Sequence, residues 1–303
     1  MTEDEDEAAQ PDSYLLPEEE NRRIFLNEIL PKRLQNLRGV ANPSLHYFCG
    51  QPGAGKSTAQ TFLRREVLAH DGQDTVASVD IDEYRIFHPA YVELLDTDEK
   101  NAGARTNEDA WRWKVQAVDY IQQLESKPHV FEAGTLRDPG SVIAQIRRYQ
   151  QIGFSTVLHV IAINGLLSRE RMLCRYLNEV EVNGCGRMVP RGFHDSTYEK
   201  LVDSVAEVLH SGVVERVVIH NSDSEKIFDN GKNPLSDDVA QAAVDTLIQG
   251  QKISPEQLLW LQERVRTGVE RAHEYGCQDA ETDLSDLLTD VDDALRTRLT
   301  RNA

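Results

Sequence analysis

The 303-residue chain contains no apolar run approaching the ~20 residues that a membrane-spanning helix requires. It is short of close cysteine pairs: Cys49, Cys174, Cys185 and Cys277 show none of the spacing used by zinc sites or disulfide frameworks. Basic residues are scarce. Against 51 Asp and Glu there are 33 Lys and Arg, a net charge of −18, and a surface so acidic repels a phosphate backbone, which argues against nucleic acid as the main ligand. The N-terminus is acidic, without the basic and then apolar stretch of an export signal. These absences predict a soluble, cytoplasmic protein with reduced thiols and neither a membrane nor a nucleic-acid partner. The acidic excess is uneven: residues 1–20 hold nine acids and no base. A second cluster comprises Asp279, Glu281, Asp283, Asp286, Asp290, Asp292 and Asp293. Both are expected to be solvated or disordered surface rather than docking sites.

Against that background one motif stands out, Gly50-Gln51-Pro52-Gly53-Ala54-Gly55-Lys56-Ser57, which satisfies the phosphate-binding pattern Gly-x4-Gly-Lys-Ser/Thr in full. It follows an apolar run, Leu45 to Cys49, and precedes a helix-like stretch that begins with Ser57 and Thr58. The glycines let backbone N–H groups curl around phosphate oxygens, Lys56 supplies a positive charge and the Ser57 hydroxyl reaches Mg²⁺. The helix adds its positive N-terminal end. A nucleoside triphosphate is the expected ligand, with residues 50–58 as its binding segment.

Strand-like and helix-like segments alternate around this motif. Strands are expected at Leu45–Cys49, Thr75–Asp80, His129–Ala133, Phe154–Asn164 and Val213–Asn221, and helices at Ser57–His70, Asn107–Ser126, Asp138–Gln151, Leu166–Val180 and Ser196–Leu209. A further helix, Glu20 to Leu37, is expected to kink at Pro31. Thr106 is the expected cap of the helix at Asn107, and Asp195 or Ser196 that of the helix at Ser196. Five near-continuously apolar strands interleaved with helices predict an α/β fold, a parallel sheet covered by helices on both faces. Beyond about residue 230 the pattern is purely helical, with a capping-box signature at Ser254-Pro255-Glu256-Gln257. The expected organisation is an acidic leader over 1–20, a phosphate-loop domain over 21–230 and a helical C-terminal region over 231–303.

Ligands of such sheets bind at the carboxyl ends of the strands. Asp80 and Asp82 close the second strand, where alternation places both side chains on one side. One carboxylate is needed to accept a proton from an attacking hydroxyl and another to hold Mg²⁺, and either Asp can instead cap the next helix. Glu132, Gly134, Thr135 and Arg137 leave the third strand, where they can meet an acceptor or form an ordinary strand end. Arg169, Arg171 and Arg175 cluster on the helix after the fourth strand, and Arg187 lies in the following loop. Guanidinium groups there can neutralise charge on a moving phosphoryl group, although exposed arginines are commonly only solvated. His194 is expected to mark a helix start, and Trp111 and Trp113 to pack rather than stack on a base.

Taken in order, the motifs resemble the zeta toxin family, the kinase half of epsilon–zeta toxin–antitoxin systems. The resemblance runs from about Asn21 to Asn221. It rests on Gly50 to Ser57, Asp80-Ile81-Asp82 with His88-Pro89, Gly134-Thr135-Leu136-Arg137-Asp138-Pro139, Arg175-Tyr176, and Gly186-Arg187-Met188-Val189-Pro190 with His194-Asp195. It implies an ATP- and Mg²⁺-dependent kinase that phosphorylates a sugar hydroxyl of UDP-N-acetylglucosamine. By this resemblance Lys56 and Ser57 serve phosphate and Mg²⁺, and Asp82 is the general base. Arg175 and Arg187 clamp the phosphates, and Gly134, Thr135 and Arg137 belong to the nucleotide-sugar pocket. Together with the residue-level reading, Asp80 joins Ser57 as a metal ligand, and Asp80 and Glu132 are expected at the acceptor. The family's acidic residue before Gly-Thr would fall at Ala133, whereas here the acid is Glu132, one position early. A separate antitoxin that covers the nucleotide site is implied as partner. The alternatives are a kinase of the same fold acting on an antibiotic or nucleoside, and a nucleotide-gated interaction protein.

Overall fold

The computed structural model describes residues 14–301, so residues 1–13 of the acidic leader lie outside it. A six-stranded sheet forms the centre: β1 (Ser44–Cys49), β2 (Val76–Ser78), β3 (His129–Gly134), β4 (Ser155–Ile161), β5 (Arg216–His220) and β6 (Lys226–Asp229). The spatial order is β2-β3-β1-β4-β5-β6, parallel throughout except for the antiparallel β5–β6 pair. The five expected strands are all present. β6 was not anticipated, because its four residues are mostly exposed and carry no run of apolar side chains. β1 lies inside the sheet, with β3 and β2 on one side and β4 and β5 on the other, so the crevice beyond its carboxyl end is where a ligand is expected.

The helices are α1 (Glu18–Ile24), α2 (Leu30–Arg33), α3 (Lys56–Asp71), α4 (Ile81–Tyr84), α5 (Tyr91–Thr97), α6 (Ala102–Arg105), α7 (Asn107–Gln123), α8 (Pro139–Gln151), α9 (Gly165–Asn183), α10 (Arg191–His210), α11 (Asp237–Gly250), α12 (Pro255–Glu274) and α13 (Gln278–Arg301). One sheet face packs Val130, Leu158 and Val217 against Trp113, Tyr149, Leu201 and Leu247. The other packs Phe48, Phe131 and Ile161 against α3, α9 and the α12–α13 pair through Leu63, Leu173, Leu261 and Leu287. α12 opens with the expected capping box, the Ser254 hydroxyl accepting from Gln257 N–H and the Gln257 side chain accepting from Ser254 N–H.

Several boundaries differ from the sequence reading. The last three leader acids, Glu18 to Glu20, form the first turn of α1, where they complement the helix dipole. Before Pro31 the chain forms a π turn, Phe25–Ile29, closed by the Leu30 N–H to Phe25 C=O bond, which gives the lost proline donor a local accommodation. α10 starts at Arg191 with Pro190 as its cap, which places Asp195 and Ser196 inside the helix rather than at its end. The Thr106 hydroxyl does not cap α7 and donates instead to Ala102 C=O. Trp113 is fully buried with its indole N–H on Asn21 C=O, whereas Trp111 is 43% exposed. Among the described residues no helix is long and apolar enough to cross a membrane.

A line of polar side chains crosses the α3-facing side of the sheet. Asp71 Oδ2 meets His129 Nε2 at 3.2 Å, and His129 Nδ1 meets the Ser44 hydroxyl at 2.6 Å. The same hydroxyl meets His46 Nε2 at 2.9 Å. His46 Nδ1 meets His159 Nε2, and His159 Nδ1 meets His220 Nε2, both at 3.0 Å. His220 Nδ1 ends the line 3.3 Å from Ser224 C=O. Burial pushes the His46 imidazole down to about 3, and His159 and His220 are lowered for the same reason.

Candidate functional site

The glycine-rich loop leaves β1 and enters α3 in the geometry that its spacing predicts. Gly53 adopts φ +74°, and a Cβ there would stand 2.0 Å from Ser168 C=O, so no other residue fits this approach of the loop to α9. Lys56 Nζ donates to the carbonyls of Gly50 (2.7 Å) and Gln51 (3.1 Å), which folds its ammonium group back over the loop. Burial pushes the Lys56 amine down to about 8, while Asp82 and Asp80 act in the opposite direction. Ser57 and Thr58 are exposed on the first turn of α3, Ala54 is buried beneath it, and Pro52 and Gly55 are half-buried. Gln51 is fully buried, its amide donating to Ile163 C=O (3.3 Å) and the Ser168 hydroxyl (3.0 Å). That hydroxyl contacts His194 Nε2 at 2.8 Å, and His194 Nδ1 contacts Asp195 at 2.8 Å. His194 therefore braces the loop from behind and does not face the cleft.

The two aspartates converge, but by a different route from the one expected. β2 ends at Ser78, so Asp80 and Asp82 are not alternating strand residues. Asp80 caps α4, accepting from Asp82 N–H at 2.9 Å, and Asp82 lies in the first turn of that helix. Burial and the neighbouring Asp82 charge raise the Asp80 carboxyl to about 6. Asp82 is 55% exposed and is held by two arginines. Arg187 Nη1 and Nη2 donate to its two oxygens at 2.6 and 3.1 Å, and Arg85 Nε donates to Oδ1 at 3.0 Å. Burial pulls the Asp82 carboxyl upward, but Arg187 and Arg85 outweigh it and keep the group well below the usual carboxylate range.

A cleft of 610 Å³ opens beside this pair, bounded by Asp82, Tyr91, Leu95, Arg175, Glu179 and Arg187. Glu179 organises its far wall: it accepts the Arg187 backbone N–H at 2.9 Å and stands 3.6 Å from the Arg175 guanidinium. Of the α9 arginines, Arg175 faces the cleft. Arg169 turns away to Asp290 of α13 (2.7 Å), and Arg171 donates to Ser222 C=O (2.9 Å) with its guanidinium near Gly55. Arg85, Glu179 and Ser168 were not singled out from the sequence, and the bracing role of Gln51 and His194 was not foreseen. Only Arg85 left a signal, three residues after Asp82 on a short helix.

The exit of β3 is divided. Gly134 and Thr135 are half-buried, and a Cβ on Gly134 would meet the Tyr47 hydroxyl at 2.1 Å. Arg137 is exposed, its guanidinium 4.6 Å from the Phe193 ring centre. Glu132 departs from the expected acceptor contact. It is fully buried and bonded to Tyr149 (2.6 Å), Gln145 (2.5 Å) and the Lys114 ammonium (3.0 Å). Its carboxylate is thus satisfied by protein partners inside the core. His88 is likewise internal, against Asp109 (3.3 Å) and Tyr14 C=O (3.1 Å).

Residues 28–233 match the model of the zeta toxin family. Toxin PezT of Streptococcus pneumoniae is 28% identical over 190 residues, covering 62% of this chain and 72% of that protein. Toxin zeta of Streptococcus pyogenes is 24% identical over 244 residues, covering 78% and 80%. A solved structure from the PezAT chromosomal toxin–antitoxin system of S. pneumoniae superposes with a TM-score of 0.69 at 22% identity, over 86% of this chain and 98% of that one, which shows a shared fold. With the family model spanning most of the chain and the loop, the aspartates and the cleft arginines in place, the protein belongs to the zeta toxin family.

Proposed function

We propose that the protein is a kinase that binds ATP at residues 50–58 and transfers the γ-phosphoryl group to a sugar hydroxyl of UDP-N-acetylglucosamine or a related nucleotide sugar. The observation that carries this reading is the gathering of opposite charges at one strand end. The groups acting electrostatically on Lys56 include Asp82, Asp80 and Arg175, and Arg187 joins them through Asp82. Phosphoryl transfer is mainly a matter of positioning and charge neutralisation, so a loop lysine near a cleft that carries two arginines and a carboxylate is suited to it. Asp82 takes the proton from the acceptor hydroxyl. Lys56, Arg175 and Arg187 balance the charge that spreads over the phosphate oxygens.

The residues present fit Mg²⁺. The Ser57 hydroxyl and the Asp80 carboxylate are hard oxygen donors, and the raised Asp80 carboxyl is a group whose charge a cation would favour. No cluster of three or more side chains able to hold a metal occurs among the described residues, as suits an ion bound largely through phosphate and water. When bound, Mg²⁺ would neutralise the β- and γ-phosphate oxygens. Gly134, Thr135 and Arg137 are assigned to the acceptor, with Asp80 beside them; the internal partners of Glu132 make it a support of that wall. The names of the relatives support a role as the toxin of a toxin–antitoxin pair, with a separate antitoxin as partner.

The test is mass spectrometry of nucleotide sugars, nucleosides and aminoglycosides incubated with ATP, Mg²⁺ and either the native protein or Lys56→Ala. The expected outcome is one added phosphate on UDP-N-acetylglucosamine, absent with the variant. Modification of a nucleoside or aminoglycoside alone would refute the sugar assignment, and no product with any acceptor would refute the kinase.

A further inference from the structure

Asp82 is held by two arginines whose circumstances differ. Arg85 is 6% exposed and committed on every side. It donates to Asp82 (3.0 Å), to the Thr106 hydroxyl (3.1 Å), to Asn107 Oδ1 (2.8 Å) and to Gly103 C=O. These partners lie on α4, on α6 and at the start of α7, so its position follows from the fold. Arg187 lies on the loop between α9 and α10, and among the described residues its side chain donates only to Asp82. It does so with two nitrogens on two oxygens, the forked geometry that a phosphate accepts equally well. A phosphate within reach of Arg187 would therefore compete with Asp82 for one guanidinium.

Building on the kinase reading, we propose that Arg187 exchanges between Asp82 and the terminal phosphates of the nucleotide. Without nucleotide, Arg187 ties up a lone pair on each oxygen of Asp82 and so competes with a hydroxyl for the base. With nucleotide, the guanidinium moves to the phosphates and uncovers the carboxylate, while Arg85 keeps it aimed. Arg85 is thus a positioning residue, and Arg187 makes access to the base conditional on a loaded phosphate site. No bond is made or broken in the exchange, and the charge on each partner is unchanged.

Two ligands competing for one group are negatively coupled, and the coupling is reciprocal. Removal of the Asp82 charge should therefore tighten nucleotide binding, and most of the gain should require Arg187. Calorimetry of Mg²⁺ with a non-hydrolysable ATP analogue tests this with native protein, Asp82→Asn, Arg187→Gln and the double variant, each first checked for native thermal unfolding. The expected result is that Asp82→Asn tightens binding on the order of tenfold in the native background and by a clearly smaller factor beside Arg187→Gln. Arg187→Lys, which keeps the charge but loses the fork, should fall between. Equal affinity of native protein and Asp82→Asn, or the same gain in both backgrounds, would overturn the exchange and leave the kinase reading standing. Failure of every variant to bind the analogue would overturn both.

Discussion

A single carboxylate shows how far residue type alone can mislead. Glu132 precedes Gly134-Thr135 and resembles a substrate ligand in the sequence, yet its strand register turns it into the core, onto residues 18 before and 17 after it. That pairing depends on which helices cover the sheet, and no local pattern records it. The glycine-rich loop, by contrast, was legible in full, since its shape rests on backbone curvature that glycine spacing dictates. Glu132→Gln should leave the Lys114 charge buried without its partner and cost roughly 3–5 kcal/mol, measurable by denaturant unfolding, with affinity for ATP unchanged. Asp82→Asn should lower transfer by ~10²–10⁴, read from product formation at saturating ATP. Retention of the full rate would remove Asp82 from the role of base.

Among the elements, long apolar strands and amphipathic helices were recovered and short transitions were not. β1, β3, β4 and β5 announce themselves by short, near-continuous apolar runs. β2 keeps strand geometry for only three residues before turning into α4, and that turn, rather than strand alternation, brings Asp80 and Asp82 together. The start of α10 was misplaced because Pro190 stands at its cap, where a side chain that accepts a hydrogen bond is the usual signal. The acidic cluster near the C-terminus was expected to be mere solvated surface. Several of its members bind arginines: Asp290 pairs with Arg169 and Arg191, and Asp286 with Arg191. Because the Arg169 side chain is only 6% exposed and one of its nitrogens already lacks a partner, Asp290→Ala should destabilise by roughly 1–3 kcal/mol. An unchanged unfolding midpoint would show that water replaces the carboxylate.

For the molecule as a whole, the largely parallel sheet and the placement of the loop at the end of β1 were readable from alternation and loop spacing. The histidines lining one face were not, since their spacing within each strand is unremarkable and the line forms only across strands. They set a dependence of stability on pH. His46 has a folded value near 3 against about 6.5 in the unfolded chain, and His159 and His220 are shifted the same way. Below pH 6.5 the unfolded chain takes up protons that the folded one refuses. The contribution of these histidines should therefore be flat above neutrality and fall as pH drops through 6.5, approaching ~1.4 kcal/mol per pH unit for His46. Denaturant midpoints at pH 8, 7, 6 and 5 (about one unit apart, bracketing the free imidazole value) check this, and a constant midpoint would mean that the rings are not buried as neutral species.

The same line also has a direction. Its six contacts, from Asp71 to Ser224, each call for one hydrogen, but four imidazoles carrying one ring hydrogen each and one hydroxyl supply five. Ser44 N–H points at His129 Nδ1, which makes that nitrogen an acceptor and leaves Nε2–H to donate to Asp71. If every following link runs the same way, the missing hydrogen falls at the longest contact, 3.3 Å at Ser224. In that arrangement all four rings are Nε2–H tautomers, their N–H dipoles aligned across four adjacent strands toward the C-terminal end of α3. Nitrogen chemical shifts report tautomers directly, and a single Nδ1–H ring at His46 or His159 would reverse the arrow.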